Sequence, residues 1–253
     1  MQPYSLNLRA ELILLTSAMR KPLSDYVVAF DLDDTLYKEI EFLKSGYYHI
    51  ALTLCDNAED ASVLAKSMYD WYNAKCNVFE KAIEATGSTC DISSLLAIYR
   101  EHIPDITLPH GSKECLRTLK AYGATLALIT DGRTLTQRNK IRALGLDRII
   151  PAHNIIISEE FGSEKPCAAN YEVIEQRNPG KKYCYVGDNV IKDFVTANSR
   201  GWLTTGLRDN GFNVHRQDAE CRPEYQPSIW IDSLDELPDT IIRADFRPSQ
   251  PQL

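Results

Sequence analysis

The sequence lacks the features of several protein classes. Its seven cysteines are odd in number and no two are spaced Cys-x-x-Cys, so neither a secreted disulfide framework nor a zinc site is indicated. The apolar run 12–15 is flanked by charged residues and falls far short of the ~20 residues that span a membrane. Twelve glycines and twelve prolines are too few for a fibrous or low-complexity chain.

A basic surface is also missing. The chain carries 28 Lys and Arg against 35 Asp and Glu, a net charge of −7, whereas binding to a phosphate backbone needs a basic face. We therefore expect neither a nucleic-acid partner nor a membrane. Together with the unpaired cysteines, this composition favours a cytoplasmic enzyme or binding protein for a small molecule, present as a monomer or homodimer.

Short apolar runs rich in β-branched residues recur along the chain. They lie at 26–30, 124–130, 154–158, 182–187, 202–207 and, more weakly, 229–231. Helical patterns separate the later runs, and Gly123 and Gly145 follow two of these patterns where a left-handed C-terminal cap belongs. Alternating strands and helices predict a doubly wound, Rossmann-like α/β core with a parallel sheet.

Residues 38–110 interrupt this alternation and contain no strand pattern. Ile40 and Leu43 begin a series of apolar residues three and four apart, which marks one face of a helix. Asn57 and Asp91 are candidate N-caps of further helices. The segment has six Lys and Arg against eleven Asp and Glu. We therefore predict an acidic cap of four helices inserted into the α/β core.

The predicted domain boundaries follow from these patterns. Residues 25–37 and 111–245 form the α/β core, and 38–110 form the helical cap. Residues 1–24 are an N-terminal extension outside the core, of which 1–18 are expected to be dispensable, and 246–253 are a tail.

Two aspartates follow the first predicted strand. In open parallel sheets, ligands bind outside the carboxyl ends of the strands, where Asp31 lies. Alternate residues of an extended segment share a face, so Asp31 and Asp33 are expected to point to one place. Carboxylates that close repel each other unless a cation compensates. A hard divalent cation with oxygen ligands, by default magnesium, is the natural compensation.

The ends of the later strands supply the complementary groups. They are the Thr130 hydroxyl, the Asp131-Gly132 turn with its backbone N–H groups, the Lys165 ammonium before Pro166, and the carboxylates of Asp188 and Asp193. Pro166 restricts Lys165 to an extended backbone, which helps to aim its side chain. The backbone N–H groups of the Asp131-Gly132 turn can hold an anion.

The order of these motifs resembles the haloacid dehalogenase-like hydrolase superfamily. The matching motifs are Asp31-x-Asp33-x-Thr35, Thr130, Lys165-Pro166 and Gly187-Asp188-x-x-x-x-Asp193. The resemblance runs from about residue 26 to 207, and family members with a helical cap carry it between the first two motifs. It implies a magnesium-dependent phosphatase that hydrolyses a small phosphorylated metabolite, such as a sugar phosphate, a nucleotide or a similar phosphomonoester.

The resemblance also implies residue roles. Asp31 corresponds to the nucleophile that forms an aspartyl-phosphate, and Asp33 to the general acid and base. Thr130 and Lys165 correspond to the phosphoryl ligand and the charge-balancing cation. The implied metal ligands are Asp31, the backbone carbonyl of Asp33, Asp188 and Asp193, the last of which ligates the ion or orients the site. The implied substrate-binding residues are Leu32, Asp131, Gly132 and Lys165.

Three points stay open at this stage. Asp33 distinguishes the chain from the family's dehalogenases, which lack an acid there, but sugar phosphomutases share it. A non-catalytic descendant that binds a phosphorylated partner is a further alternative. Many relatives have Asn or Gly at the position of Asp131, and we expect its side chain to cap the turn rather than point at the phosphate.

Overall fold

The sheet of the core has six strands, all parallel. In the computed structural model, which describes residues 21–215, 217 and 222–245, the strands are β1 (Tyr26–Phe30), β2 (Thr125–Thr130), β3 (Ile155–Ile157), β4 (Lys182–Gly187), β5 (Leu203–Leu207) and β6 (Ile229–Ile231). Their order is β3-β2-β1-β4-β5-β6, and each neighbouring pair is parallel. The doubly wound α/β core predicted from the sequence is confirmed. Because β1 lies between β2 and β4, the chain reverses its direction of travel across the sheet there, which is where ligands bind in such folds.

Four helices lie between β1 and the helix that precedes β2. They are α1 (Glu39–Leu54), α2 (Ala58–Asn73), α3 (Val78–Thr86) and α4 (Ile92–Glu101). Asn57 caps α2 by accepting a hydrogen bond from the Asp60 N–H at 2.9 Å, and Asp91 caps α4 by accepting one from the Ser94 N–H at 2.8 Å. These helices bury an apolar cluster of their own, which includes Ile50 and Met68.

Within the described residues, six further α-helices flank the sheet. They are α5 (His110–Ala121), α6 (Thr134–Ala143), α7 (Ser158–Phe161), α8 (Ala169–Arg177), α9 (Val195–Ser199) and α10 (Leu237–Asp245). The predicted left-handed residues Gly123 and Gly145 have φ angles of 90° and 68°. The short helices α7 and α9 are not predicted from the sequence. Each has five residues or fewer, and so little chain shows no clear 3.6-residue periodicity.

The sheet is covered on both faces. Val28 and Phe30 of β1 belong to one buried cluster, while Val27 and Ala29 belong to another. This arrangement explains why β1 reads as an uninterrupted apolar run rather than an alternating one. The run ends at Asp31, whose N–H still donates to the Val186 carbonyl at 2.8 Å and so fixes the start of the next loop.

The structure corrects one expectation and leaves others outside its range. Leu23, assigned to the extension, is 1% exposed, and its N–H donates to the Tyr122 carbonyl at 2.9 Å, so the core begins before residue 25. His102, which follows the end of α4, is buried against Phe42. Segments 1–18 and 246–253 lie outside the described residues. Among the described helices, none has both the length and the apolar character needed to cross a membrane.

Candidate active site

The carboxyl ends of the central strands surround a small acidic cavity of about 130 Å³. Its wall carries the carboxylates of Asp31, Asp33, Asp34, Glu39, Asp131 and Asp188, together with Asn189, Lys192 and His215. Glu39 comes from the first inserted helix, and the other five acidic residues come from loops that follow β1, β2 and β4. So many carboxylates around one small space favour a cation as part of the bound state.

Three of the predicted carboxylates converge. One oxygen from each of Asp31, Asp188 and Asp193 lies within 4.8 Å of the others, and all three residues are buried. Burial, with the neighbouring Asp31 and Asp193 carboxylates, raises the pKa of Asp188 to about 9. An all-oxygen, anionic donor set of this kind matches the chemistry of a hard divalent cation such as magnesium.

Lys165 lies within this group as its cation. Its Nζ is 2.5 Å from Asp31 Oδ1, 2.8 Å from Asp193 Oδ1 and 3.1 Å from the Tyr185 hydroxyl. Burial alone would lower the pKa of Lys165, but Asp193 and Asp31 outweigh burial and hold it well above the ordinary value. One ammonium leaves the three carboxylates with an excess of negative charge.

Asp193 holds the loop after β4 in place. Its Oδ2 accepts the backbone N–H groups of Asp188 at 3.2 Å and Asn189 at 2.9 Å, while its Oδ1 is bound by Lys165. A Cβ at Gly187 would lie 2.5 Å from Asp193 Oδ2, so this close approach requires glycine. With both oxygens engaged, Asp193 holds Lys165 and the loop after β4 in place, and the choice between its two implied roles stays a prediction.

The Asp33 side chain lies outside the group formed by Asp31, Asp188 and Asp193. Its Oδ1 accepts hydrogen bonds from Lys140 Nζ at 2.7 Å and the Tyr37 hydroxyl at 2.5 Å, and its Oδ2 accepts one from Gln137 Nε2 at 3.0 Å. Burial alone would raise the pKa of Asp33, but Lys140, helped by Tyr37 and Gln137, holds it below the ordinary value. Asp31 and Asp33 line the same cavity, but their carboxylates pair with different cations, Lys165 and Lys140.

Thr130 ends β2 with its hydroxyl beside the site and 1% of the residue exposed. Gln137 Nε2 donates to Thr130 Oγ1 at 2.6 Å, and Gln137 is equally buried. Gln137 therefore contacts both Asp33 and Thr130, and Thr130 is the residue that corresponds to the phosphoryl ligand of the family.

The turn after β2 contacts two lysines, Lys165 and Lys192. Asp131 Oδ1 accepts the backbone N–H of Lys165 at 3.0 Å, and its Oδ2 pairs with Lys192 Nζ at 3.0 Å. The Asp131 side chain therefore holds the loop that carries Lys165, which agrees with a structural role, although it also lines the cavity. The Gly132 N–H, expected to be available to an anion, donates instead to Ser158 Oγ at 2.9 Å.

The loop after β1 is fixed by its own contacts. Leu32 has no exposed surface, and its side chain packs in the core. Its carbonyl accepts the Leu36 N–H at 3.0 Å, and its implied substrate-binding role stays a prediction. Asp34 has a φ of 58°, and its carboxylate accepts the N–H groups of Glu39 at 2.9 Å and Val214 at 2.7 Å. Asp34 thereby connects the loop after β1 to the start of α1 and to the segment that contains Val214.

Sequence reasoning missed several residues of this site. Gln137 and Lys140 lie three positions apart, on one face of α6, but a polar residue in a helix is usually solvated. Asn213, in a segment read as an irregular loop, donates through Nδ2 to Asp188 Oδ2 at 2.8 Å. Such pairings between distant parts of the chain leave no periodic signal.

The fold and the site define a doubly wound α/β protein with a cluster of buried carboxylates at the carboxyl ends of its central strands. Residues 28–206 match the family model described as haloacid dehalogenase-like hydrolase. The chain belongs to this family, as the motifs predict.

Two similar proteins are named as phosphatases. The chain is 30% identical over 227 residues to glyceraldehyde 3-phosphate phosphatase of Methanocaldococcus jannaschii, covering 85% of this chain and 96% of that protein. It is 29% identical over 171 residues to ribulose-1,5-bisphosphate 5-phosphatase of Halopiger xanaduensis, covering 64% of this chain and 70% of that protein. The crystal structure of the HAD-hydrolase YfnB from Bacillus subtilis matches with a TM-score of 0.59 at 19% identity, over 85% of this chain and 98% of that one.

Proposed function

We propose that this protein is a magnesium-dependent phosphatase that hydrolyses a small phosphomonoester through an aspartyl-phosphate on Asp31. The observation that carries the proposal is the placement of Asp31 at the cavity, with its Oδ1 2.5 Å from the buried Lys165 ammonium. Thr130 ends β2, and Lys165 lies in the loop after α7. Both can meet the oxygens of a transferring phosphoryl group there.

The reaction divides into two displacements at phosphorus. In the first, an Asp31 oxygen attacks, the bond between phosphorus and the ester oxygen breaks, and Asp33 gives a proton to the departing alcohol. Because burial is outweighed by Lys140, which lowers the pKa of Asp33, this step uses the minor, protonated form of Asp33. In the second, water attacks the phosphorus and gives a proton to Asp33, and the Asp31–phosphorus bond breaks to release inorganic phosphate. Asp33 is thus returned to the acid form, and no other reactant is needed.

The donor set fits a magnesium ion. Asp31 and Asp188 offer carboxylate oxygens within 4.8 Å of each other, and Asp193 accepts the Asp188 N–H at 3.2 Å. When bound, magnesium supplies positive charge beside the attacking carboxylate and the phosphoryl oxygens. Lys165 and Thr130 add the donors that this chain itself contributes to the same oxygens.

The size of the cavity and the relatives suggest the substrate class. A cavity of about 130 Å³ has room for a phosphoryl group and little else, so the rest of the substrate extends toward the inserted helices, which contribute Glu39. The named activities of the relatives concern glyceraldehyde 3-phosphate and ribulose 1,5-bisphosphate. We therefore propose small sugar phosphates as the first substrates to test, with residues 38–110 acting as the cap that selects among them.

A panel of phosphorylated metabolites tests the proposal. Wild-type protein with magnesium should release inorganic phosphate from at least one small sugar phosphate, and Asp31→Asn, with nearly the same shape, should release none. Isomerisation that needs a bisphosphate primer, with negligible phosphate release, would show a mutase instead. Binding without turnover of any substrate would favour a non-catalytic descendant.

A further inference from the structure

A second buried ionic cluster surrounds the Asp33 carboxylate. Both of its oxygens are engaged: Lys140 and Tyr37 bind Oδ1, and Gln137 binds Oδ2. The Lys140 side chain is 4% exposed. A lysine is rarely buried so deeply, because its charge must be compensated.

Lys140 is held in this position from several sides. Its Nζ lies 4.4 Å from the centre of the Phe42 ring and 3.8 Å from Glu39 Oε1. The ammonium therefore meets the Asp33 carboxylate, an aromatic face and a second carboxylate. These contacts restrict where the ammonium can lie, and so where the Asp33 carboxylate can lie.

Gln137 connects two groups that act on the same substrate. Its amide nitrogen carries two hydrogens, and it lies 3.0 Å from Asp33 Oδ2 and 2.6 Å from Thr130 Oγ1. The opposite amide orientation would put the Gln137 oxygen against the Asp33 carboxylate, so the donor orientation is the favourable one. Thr130 Oγ1 accepts this bond, and its own O–H hydrogen therefore points away from Gln137.

Helix α6, which carries both residues, is itself fixed against α4. Thr136 Oγ1 donates to the Arg100 carbonyl at 2.7 Å, and Asn139 Nδ2 donates to the Glu101 carbonyl at 3.0 Å. Two polar faces of one helix thus hold the inserted helices on one side and the Asp33 cluster on the other.

We propose that Lys140 and Gln137 are positioning residues for the phosphatase reaction. Lys140 fixes the Asp33 carboxylate, and Gln137 sets that carboxylate and the Thr130 hydroxyl at a constant separation. This inference rests on the proposed function of Asp33 as general acid and base. It predicts that loss of either residue impairs proton transfer without removing the nucleophile Asp31.

Lys140→Met tests the role of the ammonium while keeping most of the stem that packs near Phe42. With a sugar phosphate, we expect kcat to fall about 10–100-fold, part of the ~100–10,000-fold that general acid–base catalysis contributes. The KM should change less than about twofold, because Lys140 contacts Asp33 and not the cavity. With nitrophenyl phosphate, whose leaving group needs no proton, the first displacement should persist while the second slows. A burst of one nitrophenolate per enzyme should therefore appear that the wild type lacks.

Two further variants separate positioning from packing. Lys140→Arg keeps the charge and should recover a substantial part of kcat. Gln137→Leu should lower kcat and also raise KM, because the hydroxyl of Thr130 loses its orientation. Arg142→Met removes a positive charge from the exposed side of the same helix and should behave as the wild type. Thermal unfolding of each variant identifies any that fail to fold, and Gln137→Leu carries the test if Lys140→Met unfolds.

The outcomes distinguish this inference from the function on which it rests. A wild type that releases no phosphate from any substrate would overturn both. An active wild type together with a folded Lys140→Met of equal kcat and no burst would overturn the positioning role alone. A loss in Lys140→Met that appears only in KM would do the same, because it would show a contact with the substrate instead.

Discussion

The Lys165 ion pairs should make a large, measurable contribution to stability. Lys165→Met keeps the length of the side chain and leaves the buried carboxylates of Asp31 and Asp193 without their ammonium, which lies 2.5 and 2.8 Å from them. Removing one partner of a buried ion pair costs about 3–5 kcal/mol, because a buried charge is left uncompensated. Since about 1 kcal/mol shifts the melting temperature of a chain of this size by roughly 2–4 °C, the variant should melt about 6–20 °C below the wild type.

Thermal and urea unfolding in metal-free buffer measure this difference. The matched control is Lys192→Met, whose ammonium is 31% exposed and pairs with Asp131 at 3.0 Å; a pair so accessible to water contributes about 1 kcal/mol or less. Adding Asp193→Asn to Lys165→Met removes one uncompensated charge and should restore part of the stability. If Lys165→Met melted within 2 °C of the wild type, or no lower than Lys192→Met, the assignment of a buried carboxylate cluster that Lys165 stabilises would be refuted.

Two other predictions concern the metal and the pH dependence. Asp188→Asn should raise the magnesium concentration needed for half-maximal activity by at least about tenfold, and an unchanged magnesium titration would show that Asp188 is no ligand. Burial lowers the pKa of His102 to about 4, below its ordinary value of about 6.5. Between about pH 4 and pH 6.5, His102 is therefore neutral in the folded protein and charged in the unfolded chain. Its neutral form contributes fully to the unfolding free energy above about pH 6.5, and this contribution is lost as the pH falls. In that window His102→Gln should reduce the pH dependence of the unfolding free energy by up to about 1.4 kcal/mol per pH unit, measured by urea unfolding at pH 5.0 and 7.5. Equal pH dependence in the two proteins would contradict the burial of a neutral imidazole.

The parts of the fold with strong local patterns could be predicted from the sequence. The apolar run from Tyr26 to Phe30 is followed directly by the charged Asp31, and it forms the central strand. Gly123 and Gly145 mark helix ends because their positive φ angles favour glycine. The strand ends were predicted to carry Asp31, Thr130 and Asp188, since parallel strands bring their carboxyl ends to one edge.

The partners of these residues could not be predicted in the same way. Asp33 was expected to point where Asp31 points, and both line one cavity. No local pattern indicates that Lys140, from a helix more than 100 positions away, binds the Asp33 carboxylate. In the sequence, His102 simply follows the end of a predicted helix. Its burial depends on contact with Phe42 of another helix. Contacts between distant segments depend on tertiary packing, and no local pattern in a single sequence indicates them.

The central claim, that Asp31 becomes phosphorylated during turnover, is tested most directly by mass spectrometry of Asp33→Asn. This variant keeps the nucleophile and removes the base that activates water, so nitrophenyl phosphate and magnesium should give one nitrophenolate per enzyme and then almost no turnover. The proteolysed protein should carry a phosphoryl group on the peptide that contains Asp31, and Asp31→Asn should carry none. Phosphate release by Asp31→Asn at the wild-type rate, or a phosphoryl group on a different residue, would contradict the account.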